Sequence, residues 1–334
     1  MRAWPYIASV VLAVSPACSG DDGPPVTPAT WQVLAEQRPS SFLAVWASSV
    51  DDVWVVGGRE AIGLGPSVFH YDGTAWTKLD TGMPDLDLWQ VFGFAGGDVF
   101  LAGSRGTILR YRNGTFEQIT TPGSDVVFGL WGSSPDDMWA VGGQPAANGF
   151  VWRYRGGDSF EVMPGTPAEL SMGAVWKVTG RAADDVWLSS SRGLVMHWDG
   201  QTLSDERIGE TGESLFSIGC SAEACVTAGA NLGNGVLYEN TGAGWEKQPG
   251  DPPALRGVTP VGDHRYIVGA GGTVLHRTDG GYVSDTPGLT VRSLHAAWAT
   301  DDGSLFAVGG DFDRAPTTQG VLLFKGAQEL PPLQ

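Results

Sequence analysis

Basic residues are scarce in this chain of 334 amino acids. Lysine and arginine together number 20 against 37 aspartates and glutamates, which gives a formal net charge of −17 at pH 7. Nucleic acids and anionic membrane surfaces attract proteins through clustered positive charge. The composition therefore argues against nucleic acid as a partner, and we expect any membrane association to run through a lipid anchor only.

No apolar run near the N-terminus is long enough to cross a bilayer, which takes about 20 residues. The stretch Ile7–Val14 is short, follows Arg2 and precedes small residues. This pattern predicts a signal peptide over residues 1–17. The small residues before Cys18 resemble a bacterial lipobox, so we expect lipidation of Cys18. Ordinary secretion and a chance apolar start are the alternatives.

Residues 18–29 are rich in glycine, proline and aspartate and contain no core-forming pattern, which predicts a flexible tether. The expected location is the outer membrane or periplasm as a lipoprotein, or alternatively the medium as a secreted protein. Of the three cysteines, Cys220 and Cys225 are close enough in sequence to bridge one hairpin. An exported chain favours a disulfide there, because a metal site would need more ligands than this pair.

Glycine and tryptophan are abundant, at 49 and 14 residues, and they occur in repeats of roughly 40 residues. One large apolar residue, the second-strand anchor, recurs in seven copies: Trp54, Phe100, Trp139, Trp187, Val226, Tyr266 and Phe306. Eight positions upstream, six copies carry a first-strand anchor: Trp46, Phe92, Trp131, Ile218, Val258 and Trp298. In the fourth copy the corresponding residue is Val178, nine positions upstream, which predicts an insertion in the turn.

Each copy continues with two further strand patterns joined by Asp-Gly or Asn-Gly turns, as in Ser67–Thr77. The unit is therefore a four-stranded antiparallel blade. The last copy lacks a fourth strand, and Thr30–Leu34 resembles one. The sequence predicts an all-β fold: one seven-bladed β-propeller over residues 30–330, closed by the N-terminal strand. We expect a monomer.

The segment Trp131–Gly142, with the later element His70–Trp76, carries a family resemblance. It resembles the repeats of myxobacterial-type lipoproteins, and it is similar to sialidase-like (BNR) and photosystem-assembly-factor propellers. The resemblance implies the fold and says little about function, since this architecture hosts many activities. The sialidase-type Asp box is not intact, because the Asp72–Trp76 segment lacks its spacer residue.

Catalytic patterns are weak. Paired aspartates, such as Asp136 and Asp137, recur at the first hairpin of several copies and are interpreted as turn residues. Three of the five histidines hold equivalent third-strand places, which indicates a structural role. The innermost strands offer four polar side chains, Gln90, Lys177, Arg256 and His295, and we expect no catalytic cluster among them. We predict no catalytic residue, no cofactor and no metal.

Loops between the second and third strands are predicted to be long in blades one, three, five and seven. Function on propellers tends to lie in loops held by the rigid ring. Blades seven and one are neighbours, so a candidate binding rim is Arg59, Glu60, Asp311, Asp313 and Arg314. Solvated loops without a ligand are the alternative. The functional hypothesis is a non-catalytic module that binds a protein or a cell-surface glycan, and the alternative is a carbohydrate-active, sialidase-like enzyme.

Overall fold

A computed structural model describes residues 29–61 and 63–334. The predicted signal peptide, Cys18 and all but the last residue of the predicted tether lie outside the described residues. The described part forms seven sheets of four antiparallel strands each, numbered β1 to β28 along the chain. The predicted fold class is confirmed.

The first strand of every blade lies innermost, and these strands contact one another in a closed circle. They are β2 (Phe42–Ser49), β6 (Leu88–Gly93), β10 (Val127–Ser134), β14 (Val175–Ala182), β18 (Ser214–Cys220), β22 (Leu255–Val261) and β26 (Ser293–Ala299). The second strands are β3 (Asp52–Arg59), β7 (Val99–Gly103), β11 (Asp137–Gln144), β15 (Asp185–Ser190), β19 (Cys225–Asn231), β23 (His264–Gly269) and β27 (Leu305–Asp311).

Except in blade seven, where β28 and β1 have nine residues each, the two outer strands are on average shorter than the two inner ones. The third strands are β4 (Pro66–Tyr71), β8 (Ile108–Arg112), β12 (Ala147–Tyr154), β16 (Leu194–Trp198), β20 (Asn234–Asn240), β24 (Val274–Thr278) and β28 (Thr318–Gly326). The fourth strands are β5 (Trp76–Lys78), β9 (Thr115–Ile119), β13 (Glu161–Val162), β17 (Leu203–Arg207), β21 (Trp245–Lys247), β25 (Gly281–Ser284) and β1 (Thr30–Arg38). The helical content of the described residues is three short 3₁₀ segments: Ser104–Gly106, Ala168–Met172 and Ala270–Gly272.

The N-terminal strand closes the ring, as predicted. Strand β1 pairs antiparallel with β28, the third strand of the last blade, from Thr30 opposite Gly326 onward. Leu34 of this strand is buried in a core cluster that also holds residues of blade one. Closure pairs a sheet edge that would otherwise be free to recruit another chain.

The second-strand anchors pack between blades. Trp54 lies in one cluster with Leu88 and Val91 of the next blade. Two first-strand anchors, Trp46 and Trp131, approach glycines of the next blade so closely that a Cβ atom at Gly93 would lie 2.7 Å from the Trp46 ring and one at Gly180 would lie 2.5 Å from the Trp131 ring. The repeated tryptophans are therefore packing residues that fix the distance between blades.

The predicted insertion in blade four is wrong. Thr179, eight residues before Trp187, is its partner across the strand pair, so the turn has the usual length. Val178 pairs instead with Leu188. The hairpin between the first and second strands is one residue shorter in blades five and six than in the other blades. In blade five, for example, Gly219 pairs with Val226.

The prediction of long loops between the second and third strands is confirmed in blades one and seven and is wrong in blades three and five. In blade three, strands β11 and β12 extend until Gln144 pairs with Ala147. In blade five, Asn231 pairs with Asn234. Both segments continue the antiparallel ladder and end in two-residue turns, because pairing satisfies the backbone polar groups that an open loop would leave to water.

In blades one and four the second aspartate of the recurrent pair does more than shape a turn. Asp52 accepts a 2.5 Å hydrogen bond from Ser48 across the first hairpin and a 2.8 Å hydrogen bond from His70 Nε2 on the third strand. The His70 ring stacks on Trp54 with 4.3 Å between centroids. The equivalent contacts recur in blade four, so these groups tie three strands of a blade together.

In the part of the chain that the structure describes, no helix is long and apolar enough to cross a membrane. The same residues contain no group of three or more potential metal-ligating histidine, cysteine, aspartate or glutamate side chains.

Candidate functional site: the axial cavity

A cavity of about 470 Å³ lies on the propeller axis. All seven first strands contribute to its wall, together with Pro145 from the blade-three hairpin and Phe312 and Asp313 from the blade-seven loop. These three residues belong to connections between second and third strands. The cavity therefore opens on the face that carries those connections.

A β-bulge interrupts the inner edge of every blade at the same place. The irregular pairings on the first strands fall between Phe42 and Ala44, Leu88 and Gln90, Val127 and Gly129, Val175 and Lys177, Ser214 and Ser217, Leu255 and Gly257, and Leu294 and Ala296. A bulge leaves an extra residue out of the ladder and redirects its side chain. Here the equivalent bulged residues are Leu43, Trp89, Phe128, Trp176, Phe216, Arg256 and His295, and all except Leu43 line the cavity.

Four bulged aromatic side chains form an arc around the axis. The centroid distances are 5.4 Å from Trp89 to Phe128, 5.0 Å from Phe128 to Trp176, and 5.4 Å from Trp176 to Phe216. Edge-to-face and tilted contacts at these distances are the favoured arrangements of aromatic pairs. The arc is a preformed aromatic wall supplied by four consecutive blades.

Three more side chains complete the circle. The Arg256 guanidinium lies 4.5 Å from the Phe216 centroid and 5.6 Å from that of Phe312. Phe312 is 4.8 Å from His295, and His295 is 5.8 Å from Trp89. We call these seven residues the axial ring: Trp89, Phe128, Trp176, Phe216, Arg256, Phe312 and His295.

His295 is held in its neutral form. Its Nδ1 lies 2.5 Å from the carbonyl oxygen of Leu43, which can only accept a hydrogen bond, so Nδ1 carries the proton. Burial, reinforced by the positive charges of Lys177 and Arg256, lowers the pKa of His295 to about 3. The imidazole therefore adds no charge to the cavity at neutral pH.

Lys177 lies next to the axial ring, one residue after Trp176. Its ammonium donates a hydrogen bond to Gln90 Oε1, 87 residues away in sequence. Burial lowers the pKa of Lys177 to about 8. Among the described residues no carboxylate forms an ion pair with it, so its positive charge has no counter-ion.

Arg256 differs from Lys177 because it has an acidic partner. Its Nη2 lies 2.8 Å from Asp313 Oδ1 at the cavity mouth. Burial lowers the pKa of Arg256, and the Asp313 carboxylate acts in the opposite direction. Two cations and one carboxylate line the cavity, which leaves a net positive site in a chain of net charge −17.

The residues of the predicted rim do not form one cluster. Asp311 pairs with Arg292 at 2.6 Å, whereas Asp313 turns inward to Arg256. Arg314 is exposed, and within residues 29–61 and 63–334 it forms no ion pair. Asp313 is the one rim residue that lines the cavity.

The rim residues of blade one point toward blade two and their own blade. The backbone N–H of Arg59 donates to Asp87 at 2.9 Å, and its guanidinium lies 3.5 Å from the same carboxylate. Glu60 accepts from Lys78 at 2.6 Å and from Ser67 at 3.0 Å. These side chains stabilise the blade-one loop and are not directed at the blade-seven loop.

A disulfide joins Cys220 and Cys225, whose Cα atoms lie 4.0 Å apart. The two residues are paired at the turn of the β18–β19 hairpin. This is the end of β18 away from its bulge, so the disulfide is remote from the cavity.

Gln90, Lys177, Arg256 and His295 were predicted to be polar residues of the inner strands with no catalytic cluster among them. The structure brings all four to one cavity, a convergence that the repeat pattern did not predict. The aromatic wall was not predicted either, because the anchors and not the bulged residues carry the seven-fold pattern. The available signal was two consecutive large side chains, such as Leu88-Trp89, in strands that otherwise alternate.

No protein-family model matches the sequence, and no curated protein matches it. Solved structures do match by fold. A streptogramin B lyase aligns over 90% of this chain and 99% of its own with a TM-score of 0.69 and 11% identity. YCF48 bound to a D1 peptide aligns over 89% and 98% with a TM-score of 0.62 and 17% identity.

The WD40 propeller domain of Doa1 covers 88% of this chain and 96% of its own, with a TM-score of 0.62 and 11% identity. At these identities the likeness shows the fold alone. The predicted resemblance to photosystem-assembly-factor propellers is thus confirmed as a resemblance of architecture. The lipoprotein part of that resemblance stays a prediction.

Proposed function

We propose that this protein is a non-catalytic binding module whose axial cavity receives part of a protein partner. The observation that carries the proposal is the axial ring, in which bulges in consecutive blades direct large side chains to one point. Such a cavity, mostly apolar with a few placed polar groups, has the usual character of a binding site. Aromatic and arginine side chains in a desolvated centre also dominate the energetics of protein interfaces.

The similar structures support a protein partner rather than a glycan. YCF48 holds a D1 peptide on a propeller of this architecture. The cavity here opens on the face that also carries the long loops of blades one and seven. A partner docked on this face would contact the loops while one of its side chains enters the axis.

Binding is favoured over glycoside hydrolysis by the carboxylates available. Two-carboxylate hydrolysis needs an acid and a base or nucleophile on either side of the bond. Asp313 is the single carboxylate in the cavity lining, and it is already paired with Arg256. The described lining therefore supplies one of the two groups, and that one is engaged.

The proposed location is the cell envelope. The signal-peptide pattern of residues 1–17 and the lipobox-like sequence at Cys18 support export and lipid anchoring. The acidic composition favours a soluble domain presented away from the membrane surface. A palmitate analogue should label the protein and should fail to label a Cys18→Ala variant.

The test of the binding proposal is crosslinking capture of the intact protein from its own envelope, with mass spectrometry of the crosslinked residues. Phe128→Ala removes a cavity side chain, and Phe116→Ala removes a half-buried phenylalanine of outer strand β9 as a matched control. We expect the same partner with wild type and Phe116→Ala, and at least tenfold less with Phe128→Ala.

Phe216→Ala serves as a second cavity variant, and thermal unfolding of all variants reports whether the propeller remains folded. Crosslinks from a partner to the cavity mouth, lost in both folded cavity variants, support the proposal. Equal capture by all variants contradicts it.

A further inference from the structure

We propose that the group bound in the axial cavity is an aromatic or apolar group bearing a carboxylate, and that Lys177 is the counter-ion of that carboxylate. This inference rests on the cavity being the binding site and adds the chemistry of the ligand. The carboxylate could belong to a free aryl acid or to an acidic side chain of a peptide segment. Both sources present the same chemistry to the site.

The charge of Lys177, whose side chain is half-buried in the cavity wall, has no acidic partner among the described residues. An ammonium has three N–H donors, and Gln90 accepts from one of them. A charge taken out of water without a partner is unfavourable, so buried cations are normally paired. The lowered pKa of Lys177 has the same origin, because burial disfavours the ammonium and no carboxylate offsets it.

The other ionisable side chains of the cavity leave no further charge to be compensated. Arg256 is paired with Asp313, and His295 is neutral, with its Nδ1–H donating to the carbonyl oxygen of Leu43. One positive charge therefore remains, which matches one carboxylate. Acidic residues outnumber basic ones by nearly two to one in the whole chain, so a positive interior is a local feature and not a consequence of composition.

The cavity wall beside Lys177 is aromatic and suits a planar apolar group. Trp176 precedes it in sequence, and Phe128 and Phe216 flank Trp176 at 5.0 and 5.4 Å. A planar apolar group can make edge or face contacts with these rings while its carboxylate reaches the ammonium. The cavity volume of about 470 Å³ lies in the range of small-ligand sites, roughly 300–1,000 Å³.

The pairing predicts a characteristic pH dependence. A bound carboxylate favours the ammonium form of Lys177 and raises its pKa above the free value of about 8. Binding above pH 8 must therefore take up a proton, and affinity falls as pH rises further. Below about pH 7 the affinity is constant with respect to this group. The other groups facing Lys177 do not reproduce this profile, since Arg256 stays charged and His295 stays neutral.

The experiment is calorimetric titration of the full chain with aryl acids and their matched amides, such as indole-3-acetate and indole-3-acetamide, at pH 6.5 and pH 9.5. We expect the acid to bind at least tenfold more tightly than the amide at pH 6.5. We expect a smaller preference at pH 9.5. Lys177→Met should abolish both the preference and the pH dependence, while Lys78→Met, a surface control, should retain them.

A second arm uses a synthetic peptide covering the partner segment crosslinked at the cavity, with each Asp or Glu changed in turn to Asn or Gln. Loss of affinity at one such change in wild type, with no further loss in Lys177→Met, identifies a peptide as the source of the carboxylate. Preference for the free acids alone identifies a small molecule.

The failure of this inference is distinct from failure of the proposed function. If acid and amide bind equally, or if Lys177→Met retains the acid preference, the carboxylate assignment is wrong while the cavity remains a binding site. If no free acid binds and no Asp or Glu change in the peptide weakens its binding, while partner capture still depends on Phe128, the assignment is wrong as well. If capture is independent of Phe128 and Phe216, the proposed function itself is overturned.

Discussion

His295 Nδ1 lies 2.5 Å from the carbonyl oxygen of Leu43, so a side chain of blade seven hydrogen-bonds the backbone of blade one. The contact joins residues 252 positions apart in sequence. Leu43 is the one bulged residue of the seven whose side chain does not line the cavity. The axial ring is thus bonded across the boundary between blades seven and one, which we call the seam. The N-terminal strand closes the ring at the same boundary, on the outer edge of the propeller.

His295→Leu should remove this bond and leave a buried carbonyl without its donor. Loss of a buried hydrogen-bond partner costs about 1–3 kcal/mol. We expect the free energy of unfolding in urea to fall by that amount. His197→Leu, at a half-exposed histidine bonded to Asp185, should lower it by about 1 kcal/mol or less. If His295→Leu lowered the free energy of unfolding less than His197→Leu does, the hydrogen bond between blades seven and one would not contribute the expected stability.

Ring closure predicts contrasting effects at neighbouring residues of β1. Leu34 is 3% exposed in the core, and Val33 is 39% exposed. Leu34→Ala should destabilise the protein by about 2–5 kcal/mol through lost burial and a residual cavity. Val33→Ala should change stability by about 0.5 kcal/mol. Chemical denaturation measures both, and similar effects would argue against the β1–β28 register.

The Cys220–Cys225 disulfide closes a loop with a sequence separation of 5. A loop this short restricts the unfolded chain only modestly, by about 2 kcal/mol in the chain-entropy model. Reductant should therefore lower the thermal midpoint of wild type. The double variant Cys220→Ser and Cys225→Ser should have the lower midpoint already and should not respond to reductant. An unresponsive wild type would show that the bond contributes no stability.

The lowered pKa of Asp185 predicts that part of the stability of the folded protein is lost in acid. Burial alone would raise its pKa, but hydrogen bonds from Arg181, His197 and Trp187 outweigh burial and lower the pKa below the ordinary value of 3.8. A lowered carboxyl pKa stabilises the folded state above pH 3.8, and this contribution is lost as pH falls through the folded-state value. Asp185→Asn should therefore be less stable than wild type at pH 6, with the gap shrinking toward pH 2.

The matched control is Asp184→Asn, at the exposed neighbouring turn residue. At pH 6 it should lower the free energy of unfolding by less than Asp185→Asn does, because the exposed carboxylate has fewer hydrogen bonds to lose. A constant gap for Asp185→Asn would show that its three donors do not favour the ionised carboxylate.

The repeat spacing predicted the blade count, the strand order and the closing strand because each rests on local pattern. An aromatic anchor such as Trp54 recurs because every blade must fill the same gap beside its neighbour. Loop length was harder to predict. Gln144 and Ala147 extend a ladder where glycine and asparagine suggested a loop, since tertiary pairing outweighs the local preference of those residues.

The sequence by itself determined that this chain forms a closed seven-bladed ring, because repeated apolar residues and tight turns dictate a blade that can be buried only against copies of itself. Only the tertiary structure decided where a ligand can bind. Lys177 and Gln90 become neighbours when the ring closes, and a bulge in each inner strand takes Trp89, Phe128 and their equivalents out of the strand alternation. Neither effect is visible in one repeat, since both depend on the curvature that brings seven inner strands to one axis.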